Sequence, residues 1–144
     1  MKPFSMQPVL RYRKQLEDEA RQAFFASQEK ERELADRVLR LQDNLNRLRM
    51  ELGQLQKQGT TVDVLLLYEN RIALEQEMLQ GLREDLDRQH EQVERRRKRL
   101  LHTRQEKKAL EQLKKKQDLA YKQYRDRQEA AMLDEIAVLR HNRP

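Results

Sequence analysis

The sequence predicts an all-α protein: a long antiparallel two-helix coiled-coil hairpin with a C-terminal helical overhang, forming a single domain over residues 1–144. Charged residues make up 39% of the chain, whereas Gly and Pro number only three each. Because turns depend on residues such as Gly, Pro, Asn and Asp, so few breakers leave room for few chain reversals. A composition rich in Ala, Glu, Lys, Leu, Arg and Gln is typical of long helices and coiled coils. Disorder is the competing interpretation of so charged a chain, and regularly spaced leucines argue against it.

Helix one is predicted over about residues 8–57. Pro8 suits a first helical turn, where its missing N–H would be unpaired in any case. From residue 34 the apolar residues step alternately by four and three, which is a heptad seam facing a partner helix. This seam contains Leu34, Val38, Leu41, Leu45, Leu48, Leu52 and Leu55. Upstream, a looser lane with a stutter is predicted through Val9, Tyr12, Leu16, Ala20, Ala23 and Ser27.

The turn is predicted at about residues 58–62, within "QKQGTTVD". Gly59 is suited to the left-handed conformation that closes a helix, and Thr60 or Thr61 can cap the next one. Helix two is then predicted over about residues 62–140. Its seam is assigned to Leu65, Tyr68, Ile72, Glu75, Leu79, Leu82, Leu86, Gln89, Val93, Leu100, Leu110 and Leu113.

Two helices joined by so short a turn pack antiparallel, so the numbers of facing residues should add to roughly 120. This register places Leu41 opposite Leu79 and Leu34 opposite Leu86. It also places the acidic run 17–19 beside Arg99 and Arg104. Since helix one ends its pairing near residue 112, about thirty residues of helix two should form an overhang.

Charge is segregated along helix two. Residues 61–94 contain 3 basic and 9 acidic side chains, and residues 95–116 contain 11 basic and 2 acidic ones. The basic run admits three interpretations: a solvated helical face, a nucleic-acid site, or a surface that steers the chain onto an acidic protein. Against nucleic acid, the run lacks interleaved aromatic residues and follows the heptads, whereas in basic-zipper proteins it precedes them.

No catalytic or metal-binding constellation is visible, so we expect a non-enzymatic protein without cofactors. His90, His102 and His141 are isolated on polar faces, and the chain has no Cys. The start of the chain lacks an apolar stretch of signal-peptide length, and no window approaches the ~18 apolar residues of a membrane span. We therefore expect a cytoplasmic location.

Two apolar features remain after the seam is assigned. The overhang has a stripe with no predicted partner in the chain, and such a stripe is a candidate docking surface that gains helix on binding. The stripe contains Tyr121, Tyr124, Gln128, Ala131, Met132, Ile136 and Leu139. At the turn, Leu65 and Tyr68 fit the seam, whereas Leu66 and Leu67 do not both fit it. The excess predicts either a local apolar cluster or a second binding site.

Three stretches carry a resemblance to a known family. "FSMQPVLRYRKQLEDEARQ" near the start, "TTVDVLLLYENRIALEQ" at the turn, and "RQEKKALEQLKKKQ" with "RQEAAMLDEIAVLR" toward the end resemble the flagellar export protein family FliJ. The resemblance covers nearly the whole chain. It implies an antiparallel coiled coil similar to the central stalk of rotary ATP synthases, acting in flagellar type III export.

The resemblance implies three kinds of partner: the hexameric export ATPase, the membrane export gate protein and export chaperones. It implies no nucleic acid, and at most peripheral membrane association through partners, at the cytoplasmic face of the inner membrane. The residues then expected on the ATPase side are Arg95, Arg96, Arg97, Arg99, Arg104, Lys107, Lys108, Lys114, Lys115, Tyr121, Tyr124, Met132 and Ile136. The residues expected on the gate side are Leu65, Leu66, Tyr68 and Ile72. A virulence-secretion stalk protein, a general coiled-coil adaptor and a nucleic-acid-associated protein are the alternatives.

Overall fold

The computed structural model describes residues 6–142, which form two α-helices. Helix α1 spans Gln7–Gln58 and helix α2 spans Val62–His141, and the described part of the chain contains no strand. The predicted all-α class is confirmed. The residues cluster into two compact units: unit 1 contains Met1–Ala20 and Leu100–Pro144, and unit 2 contains Arg21–Arg99. The expectation of a single domain stays a prediction.

Unit 2 is a helical hairpin that reverses at Gly59. Gly59 has a φ of 89°, in the left-handed region, and its N–H donates to the Leu55 carbonyl at 2.9 Å. A side chain at this backbone conformation would be strained, so the glycine is required here. The Thr61 hydroxyl accepts a hydrogen bond from the Val64 N–H at 3.4 Å and caps α2. Thr61, not Thr60, is therefore the capping residue.

The register of unit 2 follows the predicted rule. Asn44 donates to Glu75 at 2.7 Å, and the Tyr68 hydroxyl donates to Glu51 at 3.1 Å. Each pair of numbers adds to 119, close to the predicted 120. Leu45 and Leu48 are buried between these polar pairs, and Leu79 and Val93 are buried farther along α2. The seam predicted from the leucine spacing is thus the helix–helix interface of this unit.

One buried polar side chain in the unit 2 seam forms a hydrogen bond from one helix to the other. Gln89 is 8% exposed, and its amide donates to the Ser27 carbonyl at 3.0 Å. Because a buried amide without a partner would be costly, this cross-helix bond fixes where the two helices meet.

In unit 1 the predicted seam is wrong at the start of α1. Val9 and Tyr12 are 39% and 57% exposed, whereas Leu10 is only 2% exposed. From Leu10 the covered positions step by three, four and three through Arg13 and Glu17 to Ala20. The predicted stutter is therefore absent: the heptad spacing continues, but charged residues occupy two of its positions.

The seam of α2 in unit 1 also contains charged residues. Leu100 and Thr103 are buried, and Lys107, Leu110 and Lys114 are half-buried at the following heptad positions. Leu113, which was assigned to the seam, is 37% exposed. The prediction failed there because the search for apolar residues passed over a lysine at the correct spacing.

The last part of α2 has no cover in unit 1. Every described residue from Lys122 to Asn142 is exposed, and α2 remains helical to His141. This corresponds to the predicted C-terminal overhang, whose apolar side chains face solvent.

Candidate partner-binding surfaces

The first basic side chains of the run are balanced by acids on the same helix. Arg95 lies 3.7 Å from Glu91, and Arg97 donates to Glu94 at 3.0 Å. The hydrogen bond from Arg97 holds the pKa of Glu94 below its ordinary value. Exposed pairs at this spacing contribute little to stability, so they leave both arginines able to contact a partner.

Arg104 and Lys107 have a partner inside unit 1. Both contact the carboxylate of Glu17, Arg104 at 3.4 Å from Oε1 and Lys107 at Oε2. The side chain of Glu17 is 5% exposed, compared with 52% for Arg104 and 25% for Lys107. The expected proximity of the acidic run to Arg104 is therefore observed for Glu17. Two predicted partner-binding cations are engaged within the chain.

Three further lysines of unit 1 form a cationic face. In a helix of 3.6 residues per turn, Lys108, Lys115 and Lys116 lie within an arc of about 100° on the outer side of α2. All three are exposed, and none forms an ion pair with another side chain in residues 6–142. We call these three lysines the cationic face. The set predicted from the sequence included two of them, although the helical spacing alone could have identified all three.

The other predicted basic residues differ in their surroundings. Arg99 is exposed, whereas Arg96 is half-buried and Lys114 is half-buried at a seam position. Lys114 is therefore less available to a partner than its position in the basic run suggested.

The C-terminal segment 130–139 is apolar around nearly its whole circumference. It reads "AAMLDEIAVL", with Asp134 and Glu135 as its polar interruptions. The exposed fractions are 62% for Met132, 65% for Leu133, 44% for Ile136, 57% for Val138 and 67% for Leu139. A helix with apolar residues on every side is normally buried on every side. We call residues 130–139 the terminal plug.

Two tyrosines precede the terminal plug. Tyr121 is half-buried, and Tyr124 is 39% exposed, with its hydroxyl accepting a hydrogen bond from Gln128 at 2.8 Å. Tyr124 therefore belongs to the exposed stripe, whereas Tyr121 ends the covered part of unit 1.

Near the turn in unit 2, most predicted partner residues are in the seam. Leu65, Tyr68 and Ile72 are half-buried against α1, and only Leu66, at 49%, is exposed. The local-cluster alternative for Leu66 and Leu67 is not seen, because Leu67 is 68% exposed.

A second exposed set near the turn was predicted only in part: Leu67 was recognised as excess apolar surface, whereas Leu74 and Met78 were missed from the sequence. Leu67, Leu74 and Met78 are 68%, 59% and 54% exposed. Their spacing of seven and four places them on one helix face. We call them, with Leu66, the turn face. The sequence does contain the signal: Leu67, Leu74 and Met78 each come one position before a residue of the α2 seam, so the same heptad spacing repeats.

Among residues 6–142, no group of three or more His, Cys, Asp or Glu side chains is placed to hold a metal ion. Neither described helix has a stretch apolar enough to traverse a lipid bilayer. The features that stand out are surfaces.

The fold and these surfaces define a helical interaction protein with apolar and cationic faces. A family model described as Flagellar FliJ protein matches residues 1–144. The chain belongs to the FliJ family, as the resemblance in the sequence predicted. Members of this family are structural components of type III export.

Other comparisons add little to this assignment. A solved structure described as a YscO homolog, CT670, from Chlamydia trachomatis is 24% identical to the chain. The match covers 98% of this chain and 96% of the other, with a TM-score of 0.46. No curated protein sequence matches the chain.

Proposed function

We propose that this chain is the stalk component of the flagellar type III export apparatus. It binds the hexameric export ATPase, promotes its assembly and turnover, and links it to the membrane export gate at the cytoplasmic face of the inner membrane. It also escorts export chaperones. Membership of the FliJ family supports a role in export. The partners and their binding sites are part of the proposal.

The terminal plug is the observation that carries this proposal. A flat partner would cover one side of a helix and leave the other apolar sides in water. Residues 130–139 are apolar on opposite sides, with Leu133 65% and Val138 57% exposed. A partner covers the apolar surface of such a helix best when it surrounds the helix as a socket. The central opening of a ring-shaped hexamer is a socket of this kind. An asymmetric helix inside a six-fold ring contacts the subunits unequally and so favours different conformations in them.

The cationic face supplies orientation for the same docking event. Long-range attraction between opposite charges accelerates encounter and aligns the partners before close contact. Lys108, Lys115 and Lys116 precede the terminal plug on the same helix. An acidic rim around the socket would therefore guide the plug inward.

The turn face is assigned to the export gate. It is an exposed apolar patch formed by Leu66, Leu67, Leu74 and Met78, and it lies in the acidic part of α2. The stretch of α2 around it is acidic, whereas that around the cationic face is basic, so the two surfaces select partners of different electrostatic character. Leu65, Tyr68 and Ile72 then support this face from within the seam.

The proposal is tested by removing apolar surface from the terminal plug. We expect the double variant Met132→Ser/Ile136→Ser to lose the stimulation of purified flagellar export ATPase that the native chain produces. Hexamer yield and ATP turnover are the measurements. The matched control is Leu39→Ser, since Leu39 is 62% exposed in unit 2.

Both variants should keep the native thermal unfolding midpoint, because the replaced side chains are exposed. If the native chain leaves ATPase assembly and turnover unchanged, the stalk role is wrong. If plug and control variants stimulate equally, the ATPase site lies elsewhere.

A further inference from the structure

Glu17 is a charged residue at a seam position, where a coiled coil normally has an apolar side chain. It is 4% exposed, between Arg13 and Ala20 in the heptad steps of α1. Thr103, buried in the same unit, donates its hydroxyl to the Leu100 carbonyl at 2.9 Å. The Thr103 hydroxyl thus finds its hydrogen-bond partner within α2. The charge of the Glu17 carboxylate is balanced by Arg104 and Lys107.

The two cations of this cluster are both partly exposed to solvent, to different extents. Lys107 is 25% exposed and Arg104 is 52% exposed, so both can be reached from solvent while Glu17 cannot. An acidic group approaching α2 from outside would therefore compete with Glu17 for the same two cations. If it succeeded, a buried carboxylate would lose two cations that balance its charge, which is strongly unfavourable. The start of α1 would have to leave the seam for Glu17 to reach water.

We propose that Glu17, Arg104 and Lys107 form an electrostatic latch. Closed, it holds residues 7–20 on α2 and withholds two cations from acidic partners. Opened, it frees both cations and detaches the first turns of α1. By linkage, an acidic partner that favours the open latch is bound more tightly whenever the latch is already broken.

The first half of this proposal concerns contacts within the chain and needs no partner. The second half, the gain of affinity for an acidic surface, rests on the proposed docking of the basic segment. Both halves are measured without the export ATPase, so failure of the latch and failure of the stalk role are distinguishable.

The latch itself is tested by hydrogen exchange on the full chain. Glu17→Gln should accelerate amide exchange in residues 8–20 about tenfold, the size expected for losing a charge-assisted hydrogen bond. Exchange in residues 35–55 of unit 2 should be unchanged. The control is Glu33→Gln, which removes the same charge from an exposed position on α1. Unchanged exchange in residues 8–20, or equal acceleration in both regions, would overturn the latch.

A double-mutant cycle separates the ion pair from simple burial. Lys107→Met should also accelerate exchange in residues 8–20, since Glu17 loses one of its counter-charges. The double variant Glu17→Gln/Lys107→Met should accelerate it by clearly less than the product of the two single effects, because both substitutions remove one interaction. Independent, multiplying effects would mean that the two side chains do not act as a latch.

The competition is tested with a polyglutamate peptide as a defined acidic probe. Glu17→Gln and Glu33→Gln raise the net charge equally, so general attraction to the probe rises equally in both. We expect Glu17→Gln to bind polyglutamate at least threefold tighter than Glu33→Gln, because it alone frees Arg104 and Lys107. Equal affinities of the two variants would show that the cluster withholds nothing.

Discussion

The two units use the same heptad spacing with different chemistry in the seam. In unit 2 the buried positions are mostly leucine and valine, including Leu45 at 0% and Leu48 at 3% exposure. In unit 1 the seam contains Glu17, Arg13 and Lys107 beside Leu10 and Leu100. Burial of apolar surface is stabilising at about 25 cal/mol per Å², whereas a buried ion pair gives little net stability.

This difference assigns separate tasks to the two regions. The apolar seam of unit 2 stabilises the hairpin, and the charged seam of unit 1 makes its pairing specific and sensitive to competing charge. The two surfaces that we propose for the ATPase, the cationic face and the terminal plug, both lie in unit 1. The proposed docking surfaces are thus in the unit whose seam is easier to open.

The largest expected effect comes from a cavity in the apolar seam. Leu45→Ala should lower the free energy of unfolding by about 2–5 kcal/mol, because Leu45 is fully buried. Leu10→Ala, at a 2% exposed position in unit 1, should mainly increase local exchange in residues 8–20 and shift the main transition less. Urea unfolding followed by circular dichroism measures the first effect. Equal shifts of the main transition would contradict the assignment of stability to unit 2.

A smaller effect is expected at the reversal of unit 2. Gly59→Ala should destabilise the chain by about 1 kcal/mol, because a φ of 89° is strained for any residue with a Cβ. Gly81→Ala should stabilise it by about 0.5–1 kcal/mol, because a Cβ there meets no atom within 4 Å and alanine favours helix. The two thermal midpoints should therefore move in opposite directions. A stabilising Gly59→Ala would place the turn constraint elsewhere.

The fold was predictable because its determinants are local. Leucine spacing gave the helices, and one glycine followed by threonines gave the turn at Gly59 and Thr61. The antiparallel register then followed from turn geometry alone, as the Asn44–Glu75 pair shows. None of these inferences required knowledge of a distant contact.

Most errors in the predicted seam come from polar residues at seam positions. A search for apolar side chains chose Val9 and Tyr12 over the true sequence of Leu10, Arg13 and Glu17. Whether a charged residue is tolerated in a seam depends on its cross-helix partner, and spacing within one helix does not show that partner. The same limit affected the surfaces: Lys107 was assigned to a partner before its contact with Glu17 was visible.

The smallest expected effect concerns a half-buried polar pair of unit 2, in contrast to the buried Glu17 cluster of unit 1. The hydrogen bond from the Tyr68 hydroxyl to Glu51 raises the pKa of Tyr68 above its ordinary value of 10.0. A folded pKa above the unfolded one favours the neutral phenol, so the stability from this pair is present below pH 10 and lost as pH rises through the folded pKa.

Glu51→Gln should move the Tyr68 titration back toward 10, measured as the phenolate absorbance of the native chain minus that of Tyr68→Phe in each background. Glu29→Gln, an exposed change of equal charge on the same helix, should leave it in place. If Glu51→Gln had no effect, the hydrogen bond would not be the cause of the shift. The seam of unit 2 would then be even less dependent on charge than the comparison with unit 1 implies.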